Sequence, residues 1–298
     1  MSINDFYKLT SPYTDLGFYK DFAIQLPNDL KELCTLQRSQ ILHPTLLTED
    51  NTTAEYVSYW GDFNNIPKNR LEYEDDLYPT ALSMLAELIR KDGAFNLDRK
   101  AEDKIHIICR GDALLLCAIL KAKGYAARIR SGFDNYDPDD ICDDHWICEY
   151  YNQESHNWIL CDVDYICHQD KYDFDFTNVP RNKFMTAADG YLGIRNDIMP
   201  PDKLWWKGIR FEDRAEKIME SILRVLIYDF NSVMNNEIPI TYTAKYIHDA
   251  NFNLGEDELV ELDNLAQLML DIDGNFEKLS ELYNGNLKFS TLSGGINR

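Results

Sequence analysis

The apolar positions along the chain fall into one unbroken run and several periodic ones. Residues 109–123 read CRGDALLLCAILKAK. Apolar residues fill the middle, and charges stand only near the ends, at Arg110, Asp112, Lys121 and Lys123. A helix apolar on every face belongs inside a domain, packed on more than one side. Gly124 predicts its left-handed stop, and the two lysines suit the negative C-terminal end. Helical periodicity returns at four other places. A helix after Pro27, capped by Asn28, carries Leu30, Leu33, Cys34, Leu36 and Ile41 on one face and ends at His43-Pro44. A second, over 79–90, turns Leu82, Leu85, Leu88 and Ile89 inward. A third, over 212–234, stops before Pro239, and a fourth, over 256–271, buries Leu259, Leu262, Leu265, Ala266 and Met269. Residues 125–133, 145–151 and 158–165 read as strands, the last two joined by the polar turn NQES. Residues 1–25, 48–76 and 166–203 show no sustained period, and the GGINR tail reads as loose. No internal repeat or low-complexity segment is present.

Composition narrows the picture. With 298 residues, 45% hydrophobic and 12% aromatic, the chain is long and apolar enough for one large domain or two modest ones. A formal net charge of −21 argues against nucleic acid and anionic membrane as partners, since both demand a basic surface. No apolar run approaches a membrane span, and MSINDFYKLT lacks the pattern of a signal peptide. The seven cysteines form no CxxC pair and are odd in number, which predicts free thiols in a reducing, cytoplasmic setting.

The chemistry starts at Cys109. A thiol at the start of a buried helix meets unpaired amide N–H groups and the positive end of the dipole, and both favour thiolate. The alternative is a cysteine acting as a small buried hydrophobe. The two strands after the acidic loop supply a geometric test. Alternation puts His145, Ile147 and Glu149 on one face, and Trp158, Leu160 and Asp162 share a face of the next strand. A hairpin symmetric about Gln153-Glu154 sets His145 opposite Asp162; a one-residue slip separates them. The turn has no Asn-Gly to fix that register. Together the three side chains make a Cys-His-Asp nucleophilic site. Cys109 attacks, His145 moves the proton, and Asp162 sets the imidazole tautomer. The Cys109 backbone N–H is the natural first donor to an oxyanion.

These motifs resemble the transglutaminase-like superfamily. C-R-G-D-A-L-L-L-C-A-I-L-K-A-K-G-Y-A-A-R is similar to its nucleophile helix, with Gly124, Ala127 and Arg128 in the matching places. D-H-W-I-C-E-Y matches its histidine strand, including Glu149, and W-I-L-C-D its Trp-x-x-x-Asp strand. Among bacterial members the chain resembles those carrying CRDFALLLCALL, EDHWVCEYW and Asp-Val-Pro-Arg-Asp-x-Phe, the last matched by residues 178–184. The chain departs from that pattern at Gly111-Asp112, at Ile107-Ile108, and at Val163, where many relatives have proline. The likeness covers roughly residues 10–240. It implies an α+β, papain-like core, a nucleophile helix packed on an antiparallel sheet, with further helices at both ends. The corresponding domain is 1–238, its catalytic core about 79–170, followed by a helical extension over 239–298. The implied activity is transfer or hydrolysis of an amide acyl group through a thioester, catalysed by Cys109, His145 and Asp162. Peptides, proteins or small amides are the implied substrates, water or an amine the acceptor, and no cofactor or metal is implied.

Other readings attach to other residues. Cys142, His145, Cys148, Cys161, Cys167 and His168 cluster in sequence but lack metal-knuckle spacing, and alternation turns Cys148 and Cys161 away from His145. The acidic loop, with Asp134, Asp137, Asp139, Asp140, Asp143 and Asp144, is either a solvated rim or an attractor for a cationic amine acceptor or calcium. Asp271-Ile272-Asp273-Gly274-Asn275 fails the EF-hand spacing and reads as a helix end and turn. Trp146, Trp158, Trp205 and Trp206 are either core or the lining of a groove. The non-enzymatic alternative is a scaffold of the same fold that binds a protein without turnover.

Overall fold

The computed structural model describes residues 1–48, 57, 60–136, 142–200, 203–205, 214–285, 288–289 and 296–297. Helices α1–α6 are Ile3–Lys8, Lys20–Gln25, Leu30–Arg38, Thr45–Thr48, Ala81–Asp92 and Cys109–Ala122. Helices α7–α11 are Ala187–Arg195, Arg214–Val233, Lys245–Asp249, Glu256–Met269 and Ile272–Gly285. Strands β1–β5 are Ile41–Leu42, Ile105–His106, Ala127–Asp134, Cys142–Asn152 and Asn157–Cys161. Strands β6–β9 are Phe184–Thr186, Leu204–Trp205, Thr243–Ala244 and Ile296–Asn297. The chain is therefore mixed α and β. It forms two compact units: one of residues 1–3, 128–146 and 180–298, the other of residues 4–127 and 147–179. Among the described residues no helix is long and apolar enough to cross a membrane.

The second unit is built on α6. Every residue from Cys109 to Lys121 is buried, as its all-round apolar sequence requires. Gly124, at φ +91°, makes the left-handed stop. Just before it Lys123 Nζ donates to the carbonyls of Ile24 and Leu26 and to Asn28 Oδ1, tying the helix end to the last turn of α2 and the segment after it. Asn28 is thus not the cap of α3. Asp29 is, its carboxylate accepting from Glu32 N–H at 2.9 Å. Helix α3 also ends earlier than expected, at Arg38, because Ile41 and Leu42 leave it to pair in parallel with Ile105 and His106. Helix α5 opens with a reciprocal cap between Thr80 and Ser83 and closes on Gly93 at φ +65°.

The hairpin of β4 and β5 pairs Asn152 with Asn157 and Cys148 with Cys161. The turn is therefore residues 153–156, and continuing the ladder sets Asp162 opposite Ile147, two places from the expected register. The cause is Asn152, whose Oδ1 accepts from Glu154 N–H and Ser155 N–H, with His156 in the left-handed region at φ +53°. A shift of two keeps every side chain on its expected face.

In the first unit, β3 pairs antiparallel with β6, and the start of β4 pairs in parallel with β7. Helices α7, α8, α10 and α11 share a core that includes Tyr191, Leu223, Phe230, Leu265 and Leu279. Residues on both sides of Pro239 belong to this unit. A buried ion pair crosses from strand to helix: Arg130 Nε and Nη2 donate to the two Asp229 oxygens, each at 2.8 Å. Ser131 N–H also donates to Asp229 Oδ1, at 3.0 Å. Helix α7 lies in a stretch expected to be irregular, while the helix expected over 256–271 is α10, ending at Met269, with a new helix starting at Ile272. Helices α1 and α2 likewise order part of residues 1–25. Asp137, Pro138, Asp139 and Asp140 of the acidic loop, Trp206, the side chain of Trp205, and most of the GGINR tail lie outside the described residues.

Candidate active site

Cys109 is the first residue of α6, 8% exposed, and Ile108 before it offers no side-chain cap. Its position is set by the segment leading in, which is held on both flanks. On one side Ile105 N–H donates to the Gln40 carbonyl and Ile107 N–H to the Leu42 carbonyl. On the other, the loop after Arg70 folds against it. Glu74 N–H donates to the His106 carbonyl at 2.7 Å, and His106 N–H returns a bond to Glu74 Oε2 at 2.9 Å. Arg70 clamps the Glu74 carboxylate through Nε and Nη2, each at 2.7 Å. The next residue, Asp75, accepts from Ile108 N–H at 3.3 Å, adjoining the nucleophile itself. Burial raises the Asp75 carboxyl to about 6, against the opposing pull of that N–H and of Arg110. This anchoring was invisible in sequence, where 48–76 reads as surface loop. The cluster Glu74-Asp75-Asp76 upstream of an apolar run was the one signal available.

The two departures around the nucleophile account for each other. A Cβ at Gly111 would lie 2.6 Å from Ile107 Cδ1 and 3.1 Å from its Cβ, so the bulk at Ile107 requires a glycine one turn into the helix. Asp112 is wholly buried and accepts from Gln37 Nε2 at 3.2 Å. Burial raises it to about 7; Arg38 opposes that rise, and the nearby carboxylates Asp164 and Asp162 add to it.

Asp162, one residue past β5, is buried and fixed from three directions. Its N–H donates to the Phe176 carbonyl at 2.7 Å, and its Oδ1 accepts from Asp164 N–H at 3.0 Å and Tyr165 N–H at 3.3 Å. A side chain held by its own turn keeps one orientation. Cys109 and Asp162 both belong to the second unit. His145 belongs to the first, on β4, buried, with its ring 6.2 Å edge-on from Tyr136. Trp146 beside it packs against Tyr228 at 5.8 Å, and Trp158 in the second unit meets Tyr7 at 5.3 Å.

No family model matches the chain, and no curated protein does. Among solved structures it is similar to a candidate cysteine protease from Cytophaga hutchinsonii. The two are 15% identical, with a TM-score of 0.33, over 61% of this chain and 47% of that one. The match thus spans about half the length of that protein.

All seven cysteines are free thiols. Burial pushes the Cys148 thiol well up, and its contact with Cys117 adds to this. Cys161 is pushed up first by its bond with Cys34, Sγ to Sγ 3.6 Å, and then by burial. Among the described residues no group of three or more His, Cys, Asp or Glu side chains is arranged to hold a metal ion. A cleft of about 790 Å³ opens at the C-terminal end of α6, lined by residues that include Leu33, Lys123, Tyr125 and Tyr150. At 1.5 Å per residue it lies about 20 Å along the helix from Cys109, the wrong end for the thiol.

Proposed function

We propose that the chain is a cysteine-dependent enzyme of papain-like, transglutaminase-like type, transferring or hydrolysing an amide acyl group. Cys109 is the nucleophile, His145 the general base and acid, and Asp162 the group that sets the imidazole tautomer. The observation that carries this reading is the thiol at the first position of a helix buried on all sides, on a segment anchored at both flanks. Such a thiol meets the positive helix end without a side-chain cap competing for it. The sequence motifs around all three residues support the same reading.

In the reaction, the Cys109 sulfur bonds to the amide carbonyl carbon while its proton passes to His145. The tetrahedral species collapses by breaking the C–N bond, and His145 returns the proton to the departing amine. Water or a second amine then attacks the thioester carbon, loses a proton to His145, and expels the Cys109 thiolate, which takes that proton back. The product is an acid with water and a new amide with an amine.

Iodoacetamide labelling near neutral pH tests the nucleophile. Cys109 is expected to react faster than the other six cysteines, with Cys34, Cys117, Cys148 and Cys161 as fully buried comparators. His145→Ala is expected to slow that reaction at least tenfold. Uniform labelling, unaffected by His145→Ala, would replace the enzyme with a scaffold that binds a partner without turnover. Amine incorporation into a glutamine-containing peptide, set against ammonia release in water alone, then separates transfer from hydrolysis.

A further inference from the structure

We propose that the second unit holds a binding site for a small monocarboxylate with a short apolar body, in a cavity where the buried ammonium of Lys104 awaits its anion. The cavity measures about 210 Å³ and is lined by Arg38, Trp60, Leu97, Lys104, Ile166 and Cys167, together with two hydroxyl side chains of α3 and its end. Nothing in the proposal depends on Cys109.

Lys104 is 3% exposed, and its Nζ stands 5.7 Å from the centre of the Trp60 ring. Among the described residues its ammonium has neither a hydrogen bond nor a carboxylate partner. A buried charge in that condition is costly, and buried lysines are ordinarily paired. Burial first, and then the neighbouring Arg38, lower the Lys104 ammonium to about 8, so the group is charged at neutral pH but poorly supported. The other cation in the cavity is already balanced. Arg38 Nη2 lies 3.1 Å from Asp164 Oδ1, and its Nε donates to the Asp164 carbonyl at 2.9 Å. The chain has 51 acidic residues against 30 basic ones, yet among the described residues no carboxylate lines this cavity. What is left over is one positive charge facing an open space.

The remaining polar groups decide which anion fits. Thr35 Oγ1 donates to the Lys31 carbonyl and Ser39 Oγ to the Thr35 carbonyl, each at 2.8 Å, so neither hydroxyl proton faces the cavity's ligand. The Cys167 thiol likewise donates to the Asp164 carbonyl. A phosphate dianion needs several donors and two compensating charges, which one ammonium does not supply. A single carboxylate needs one, and Trp60, Leu97 and Ile166 offer apolar walls for the carbon body behind it.

The test is calorimetric titration of the full chain at pH 7 with butyrate, benzoate and inorganic phosphate. At least one of the two carboxylates is expected to bind saturably, and Lys104→Met to weaken that binding tenfold or more. Without ligand, Lys104→Met is expected to melt higher than the parent, because the unpaired charge is gone while the apolar stem remains. In the parent chain, acylation of Lys104 by a succinimidyl ester at pH 8 is expected to slow when the same carboxylate is present; this arm needs no variant. The proposal fails if neither carboxylate saturates, if binding survives Lys104→Met with no protection of Lys104, or if phosphate binds more tightly than both.

Discussion

Among the described residues, two buried acceptors near the first turn of α6 have no donor. Asp112 Oδ2 and Gln37 Oε1 are both buried and unpartnered, although Gln37 Nε2 bonds the Asp112 carbonyl at 2.8 Å. Burial disfavours the charged carboxylate, and for this reason the folded-state pKa of Asp112 rises to about 7 from an ordinary value of 3.8. The sign of the linkage follows. Between about 4 and 7 the folded chain binds more protons at this site than the unfolded chain, so Asp112's contribution to stability falls as pH rises through that window. Asp112→Asn keeps the shape, carries its own N–H donors and does not titrate. It is expected to be more stable than the parent at pH 8, by about 1–3 kcal/mol, and near parity at pH 5. Urea melts at the two pH values check this; an equal effect at both would mean that Asp112 is ionised throughout. Neither this carboxyl nor Lys104 was legible in the sequence as a special group. Both owe their character to burial by segments far away in the chain, whereas Cys109, His145 and Asp162 stood out through motifs local to each.

At the level of single elements, the fit between Gly111 and Ile107 determines how α6 begins. Gly111→Ala is expected to destabilise the chain by about 1–3 kcal/mol, because the new methyl meets Ile107 at contact distances that real Cβ atoms do not tolerate. Adding Ile107→Val removes the nearest methyl and is expected to recover part of the loss. Denaturant midpoints measure both, and iodoacetamide rates at Cys109 report whether its placement moves with them. If Gly111→Ala costs nothing, Ile107 has a second rotamer and the glycine is incidental. The same physics separates the elements that could be read from those that could not. Helix α6 was legible because an all-apolar run with a glycine stop has one reading. Helix α7 was not, because its sequence AADGYLGIR carries two glycines that weaken any helical reading. One of them, Gly190, is there because a Cβ would stand 2.8 Å from the Phe133 ring. Residues 271–275 read as a helix end and turn in sequence, whereas they open α11, where Asp271 Oδ1 accepts from Gly274 N–H at 3.0 Å, a helix cap that imitates a loop. The β4–β5 register moved by two because the side chain of Asn152, and not a glycine, formed the turn.

Over the whole molecule, two kinds of electrostatics act in opposite senses, and salt separates them. Arg130 and Asp229 are buried and doubly bonded, so removing one partner strands the other charge. Asp229→Ala is expected to cost about 3–5 kcal/mol, the range for breaking a buried pair. Hydrogen exchange should show the loss first in β3 and α8. Against this stands a surface of net charge −21, whose self-repulsion works against any compact state. Ion pairs such as Lys245 with Asp249 and Lys288 with Glu261 are about half exposed to water and contribute little against it. Raising ionic strength from about 0.01 M to about 0.15 M shortens the screening length from about 30 Å to about 8 Å. The parent chain is therefore expected to melt at a higher temperature in the more saline buffer. The decrement caused by Asp229→Ala should be the same in both, because salt does not reach a pair that is closed to solvent. A decrement that shrinks with salt would mean that water enters between Arg130 and Asp229, and that β3 and α8 are held by apolar packing alone.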